Sequence, residues 1–165
     1  MSAPLNKADD AGQTMSSMNK KSKRYCVLLI EDNPGDVRLT QEAFRETGAD
    51  IDLQVVMDGV EAVAYLQNER EYADKPRPDL ILLDLNLPKW GGRQVLEKIK
   101  KDQDLLRIPV VVLTTSNAAA DVLACYDLHA NCFINKPVDF DNFFQIITYI
   151  QKFWLETATL PGTVS

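Results

Sequence analysis

The run DLILLDLNLP at residues 79–88 constrains the fold more than any other stretch of the chain. Ile81, Leu82 and Leu83 are too continuous an apolar series for a strand with one wet face, so they predict a central strand of a parallel sheet covered by helices on both sides. Asp84 then stands at the carboxyl end of that strand. This is the edge at which open parallel sheets bind ligands, because the loops there surround a crevice that packed side chains do not fill. Taken alone, one acid after one strand is equally a turn or helix-capping residue.

The surrounding elements follow from pattern. Tyr25–Ile30 (YCVLLI) reads as a second buried strand, followed by Glu31, Asp32, Asn33 and Pro34. Proline suits the first turn of a helix and Asn33 can cap its free amides, which predicts a helix over 34–47 with Gly48 as its stop. Ile51–Val56 alternates as a strand, and 59–68 repeats as a helix. A polar connection over 69–78 leads to the central strand at 80–84. Gly91 and Gly92 then make a tight loop into a helix over 92–101. Residues 108–114 (IPVVVLT) read as a buried strand, 118–128 as a helix, Cys132–Asn135 as a short strand and 139–156 as the last helix. Right-handed crossovers turn five strands alternating with five helices into an α/β, doubly wound, five-stranded parallel sheet of order 2-1-3-4-5. The domain is expected over 25–156, between a flexible leader at 1–24 and a tail at 157–165.

That strand order brings Glu31, Asp32 and Asp84 to one crevice. Like charges about 4 Å apart repel by ~1 kcal/mol even in water, so the cluster calls for protons or a metal. A hard divalent cation with oxygen ligands fits: Mg²⁺ takes one or two carboxylates, keeps waters, and can accept a carbonyl such as that of Asn86. A purely structural cation site is the alternative. Thr114 and Thr115 at the end of the fourth strand, and Lys136 at the end of the fifth, face the same edge. A hydroxyl, an ammonium, Mg²⁺ and free amides around one carboxylate suit a metaphosphate-like transition state and the acyl phosphate it yields.

The last helix has an unusually broad apolar arc. At ~100° per residue, Phe143, Ile147, Ile150 and Trp154 form one stripe and Ile146, Tyr149 and Phe153 a second beside it. The excess, centred on Phe153, Tyr149 and Ile146, predicts a homodimer interface unless the leader or a loop covers it. The net charge of −6 divides into +3 over residues 1–24 and −9 over the remainder, which argues against nucleic-acid binding by the folded part. Cys26, Cys125 and Cys132 lack CxxC spacing, and with one histidine in the chain a zinc site is implausible. No apolar run approaches the ~20 residues of a membrane span, and the N-terminus lacks a signal-peptide core, so a cytoplasmic protein is expected.

On these residues the chain, from about 25 to 154, resembles the receiver domain of two-component response regulators. The stretches EDNPGDVRLTQEAF, LLDLNLPKWGGRQVL and VVVLTTS are most similar to the single-domain regulators paired with cyanobacterial phytochromes. The resemblance implies the flavodoxin-like, CheY-like three-layer sandwich and a phosphoryl acceptor rather than an enzyme. It makes Asp84 the acceptor of phosphate from a sensor histidine kinase, of phytochrome type in the narrower match. It assigns Mg²⁺, or Mn²⁺, to Asp32, Asp84 and the Asn86 carbonyl, with Glu31 acting through a water. It further implies Thr114 as the switch hydroxyl, Thr115 beside it, Lys136 as the phosphate's partner, Phe133 as the rotating aromatic and a cis peptide before Pro137. With nine residues after Glu156, no output domain is expected, and the signal would leave through a surface to a downstream partner that the sequence does not identify.

Two other classes compete. A phosphohydrolase with an aspartate nucleophile needs a second acid two positions on, where this chain has Asn86. A receiver-like docking module that is never phosphorylated would be expected to have lost an acid or the lysine, and none is missing.

Overall fold

The computed structural model describes residue 2 and residues 23–163. Most of the expected leader therefore lies outside the described residues. Five parallel strands, β1 (Tyr25–Ile30), β2 (Ile51–Val56), β3 (Leu80–Leu83), β4 (Val110–Thr114) and β5 (Cys132–Asn135), form one sheet of order β2-β1-β3-β4-β5. The helices between and after them are α1 (Pro34–Glu46), α2 (Gly59–Leu66), α3 (Gly92–Lys101), α4 (Ala119–Asp127) and α5 (Phe140–Ile150).

The pleat explains why the central strands are continuously apolar. Leu28, Ile30, Ile81, Leu83, Val110 and Val112 point to one core, which α2 and α3 cover with Ala62, Tyr65, Val95, Leu96 and Ile99. Val27, Leu29, Leu80, Leu82, Val111 and Leu113 point to the other, closed by Ala43 and Phe44 of α1 and by Phe143, Ile147 and Ile150 of α5. Both faces are dry, so neither could carry the polar half of an alternating strand.

Helix ends follow local chemistry. Asn33 caps α1, its side chain accepting from the amides of Gly35 and Asp36, with Pro34 at the first position. α2 stops two residues earlier than expected because Asn68 turns left-handed (φ 54°) and the amides of Asn68 and Glu69 bond back to Tyr65 and Ala64. β4 begins at Val110 rather than 108, Pro109 having no N–H for the ladder, although its carbonyl still accepts from Ile81.

Three expectations need correction. The last helix is α-helical only to Ile150; Gln151–Thr157 winds as a π-helix, closed by the amide of Ala158 on the carbonyl of Phe153 at 2.7 Å. The wider turn carries Leu155, not Trp154, onto the stripe of Phe143, Ile147 and Ile150, leaving Trp154 half-buried. Part of the expected tail packs back on the domain: Leu160 is in the core, and a 3₁₀ turn follows at Pro161–Thr163. The peptide bond before Pro137 is trans, the arrangement that X-Pro bonds favour by about 0.5–1 kcal/mol.

Candidate functional site

The site grows out of the register. Because β1 and β3 pair directly, with Ile30 opposite Leu83, the residues just beyond them, Glu31 and Asp84, emerge side by side. One oxygen from each of Glu31, Asp32 and Asp84 lies within 4.8 Å of the others. Glu31 and Asp84 are buried, at 2% and 6% exposure, while Asp32 opens towards solvent.

Lys136 enters from the end of β5. Its side chain is 4% exposed, and its ammonium donates to Glu31, to Asp36 at 2.8 Å and to Asp84 at 3.0 Å. The backbone fixes this reach: the amide of Lys136 donates to the Thr114 carbonyl at 2.7 Å, locking the two strand ends together. Burial alone would lower the pKa of Lys136. The hydrogen bonds it donates to Asp36 and Glu31, with the charge of Asp84, outweigh it and hold the ammonium firmly protonated. Burial pushes the Glu31 carboxyl upward, the Asp84 charge adds to this, and Lys136 pulls it back.

Asp36 is the member of this cluster that sequence reasoning missed. It sits in the first turn of α1, three residues after the Asn33 cap, where an acid is equally explained by the helix dipole. Only the fold, bringing it to a lysine 100 positions away, gives it a second partner.

The remaining expected residues fall into two groups. Thr114 is fully buried beside the cluster, its hydroxyl oxygen accepting from the amide of Ser116 at 3.3 Å. Asn86 donates its amide to Asp84 Oδ1 at 3.2 Å and its side chain to the Thr115 hydroxyl at 3.5 Å. Phe133, in mid-β5, is half-buried against the core under α2 and α3. Of the three residues expected at an interface, Tyr149 and Phe153 are 56% and 55% exposed, whereas Ile146 is half-buried and packs against the core closed by α1 and α5.

Four carboxylates against one ammonium leave the pocket with excess negative charge and hard oxygen donors, a set that fits a divalent cation. The family model for the response regulator receiver domain matches residues 27–148. The chain belongs to that family. The receiver domain is 51% identical over 136 residues to the response regulator Rcp1 of Synechocystis sp., covering 82% of this chain and 92% of that protein. The crystal structure of the phosphorylated cyanobacterial phytochrome response regulator RcpA superposes on it with a TM-score of 0.82 at 52% identity, covering 84% of this chain and 99% of that chain. The Mn²⁺-bound form of Rcp1 gives 0.80 at 50% identity, with coverage of 83% and 99%. No helix among the described residues is long and apolar enough to cross a membrane.

Proposed function

We propose that this receiver domain takes a phosphoryl group from the phosphohistidine of a sensor histidine kinase onto Asp84 and signals by the resulting change of surface. The observation that carries the reading is Asp84 Oδ2 lying 3.0 Å from a buried ammonium, in a pocket shared with Glu31 and Asp32. In the transfer, a carboxylate oxygen of Asp84 attacks phosphorus, the P–N bond to the imidazole breaks, and the imidazole leaves with a proton. An aspartyl acyl phosphate results. Lys136 pairs with the charge that builds on the phosphoryl oxygens, and the Thr114 hydroxyl and loop amides supply further donors. Mg²⁺, or Mn²⁺ in its place, would be held by Asp32, Asp84 and the Asn86 carbonyl, with Glu31 acting through a water, and would neutralise phosphoryl charge. The domain receives a group and holds it, so it is an acceptor rather than a turnover catalyst.

Similarity to RcpA and Rcp1 supports a phytochrome-type photoreceptor kinase as the donor, and hence action in the cytoplasm where such a kinase meets ATP. Exposed Leu123, Tyr126, Phe140, Tyr149 and Phe153 support self-association through α5 and its neighbours, because a monomer would leave these large side chains wet. Phe133 has no hydroxyl, so any rotation of it on phosphorylation is read through packing.

Incubation with Mg²⁺ and acetyl phosphate, followed by intact-mass measurement, tests the acceptor. One phosphoryl adduct is expected on the wild type, with none on Asp84→Ala or in EDTA, and the variant's circular dichroism should be unchanged. An adduct retained by Asp84→Ala defeats the assignment. Turnover of many phosphate esters would favour a hydrolase, and no adduct on any form a docking module.

A further inference from the structure

The loop between β4 and α4 is tied down at one residue in three ways. The Ser116 amide donates to the Thr114 hydroxyl oxygen at 3.3 Å, and its carbonyl accepts from the Asn135 side chain. Its hydroxyl donates to Asp121 Oδ2 in the first turn of α4. The other oxygen of Asp121 is held at 2.7 Å by Nη2 of Arg93. Arg93 stands in the first turn of α3, one residue after Gly92, whose Cα packs so tightly on the Asp84 carbonyl that a Cβ there would overlap it. A chain of contacts thus runs from the backbone of Asp84 through Arg93 and Asp121 to the loop that follows Thr114.

For Thr114 and this loop to move in on a phosphoryl group at Asp84, Ser116 must shift. It cannot do so without stretching its bond to Asp121, and Arg93 holds Asp121 in place. We propose that Arg93 and Asp121 form a latch that keeps the β4–α4 loop in its resting position and so opposes the closure that a phosphorylated Asp84 requires. This rests on the function proposed above. Arg93 and Asp121 act through Ser116 and are positioning residues. The latch is weak enough to open: Arg93 and Asp121 side chains are 53% and 22% exposed, and an ion pair in that setting shifts an equilibrium by about two- to fivefold.

The test uses the whole chain with beryllofluoride as the phosphoryl mimic, read by fluorine NMR in saturating Mg²⁺. Arg93→Ala and Asp121→Asn should each bind beryllofluoride about two- to fivefold more tightly than wild type, with Mg²⁺ affinity unchanged. The exchanged pair, Arg93→Asp with Asp121→Arg, should move back towards wild type. Arg93→Ala leaves the acid of the α4 first turn in place, so its result stands even if Asp121→Asn destabilises that helix. Unchanged or weaker binding in Arg93→Ala overturns the latch. Asp84→Asn separates the two claims: if it loses all binding while Arg93→Ala equals wild type, only the latch falls. Binding retained by Asp84→Asn removes the acceptor assignment and the latch with it.

Discussion

Among the described residues Lys136 is the one ammonium paired with Glu31, Asp36 and Asp84, so its removal should strand buried charge. Lys136→Met is expected to lower stability by about 3–5 kcal/mol in EDTA, the range for breaking a buried pair, and to regain much of it in Mg²⁺. Asp84→Asn removes one repelling charge and should raise the metal-free melting temperature; urea and thermal unfolding with and without Mg²⁺ check both. Asp58 carries the pH dependence of a second pair. Burial raises its carboxyl, but Lys89 at 2.7 Å and the Glu61 amide outweigh this and hold it below the usual carboxylate range. A lowered carboxylate contributes stability that is present above its unfolded pKa of about 3.9 and is lost as pH falls through the folded value. Asp58→Asn should therefore flatten the acid limb of the stability curve, and an unaltered limb would contradict this. The convergence of Glu31, Asp32, Asp84 and Lys136 was legible because each lies within two residues of a strand's carboxyl end. Asp36, Asp58 and Asp121 were not, since each sits at a helix start where capping or the helix dipole already accounts for an acid.

The strands and their order could be read at the scale of elements because continuous apolar runs and right-handed crossovers leave few alternatives. The end of the last helix could not, because a 3.6-residue period assigns the stripe to Trp154 and nothing local announces the wider π turn. Leu155→Ala should cost about 2–5 kcal/mol in urea unfolding and Trp154→Ala distinctly less. The reverse ranking would restore the regular helix. Gly92 is fixed by the close approach of α3 to the backbone of Asp84, so Gly92→Ala should cost about 1–3 kcal/mol or more and weaken Mg²⁺ binding as well, by displacing Asp84. Metal titration of that variant reads the second effect separately from stability.

Across the whole molecule, the two dry cores position a polar edge at the carboxyl ends of the strands, and Tyr149 and Phe153 stand exposed further along the last helical segment. Tyr149→Asp and Phe153→Asp should shift sedimentation towards the monomer without reducing the acetyl-phosphate adduct, and unchanged sedimentation would count against the interface. The breadth of the apolar arc was legible in the sequence; the docking of Leu160 was not, because one leucine after the last helix has no period to reveal it. The acceptor role of Asp84 turns on which carboxyl carries phosphate. Borohydride reduces an aspartyl acyl phosphate to homoserine, so reduction after Mg²⁺ and acetyl phosphate treatment, followed by peptide mass spectrometry, marks the acceptor chemically. Homoserine at position 84 and nowhere else is the predicted result; homoserine at Glu31's neighbour Asp32 or at any other aspartate, with Asp84 intact, would contradict it.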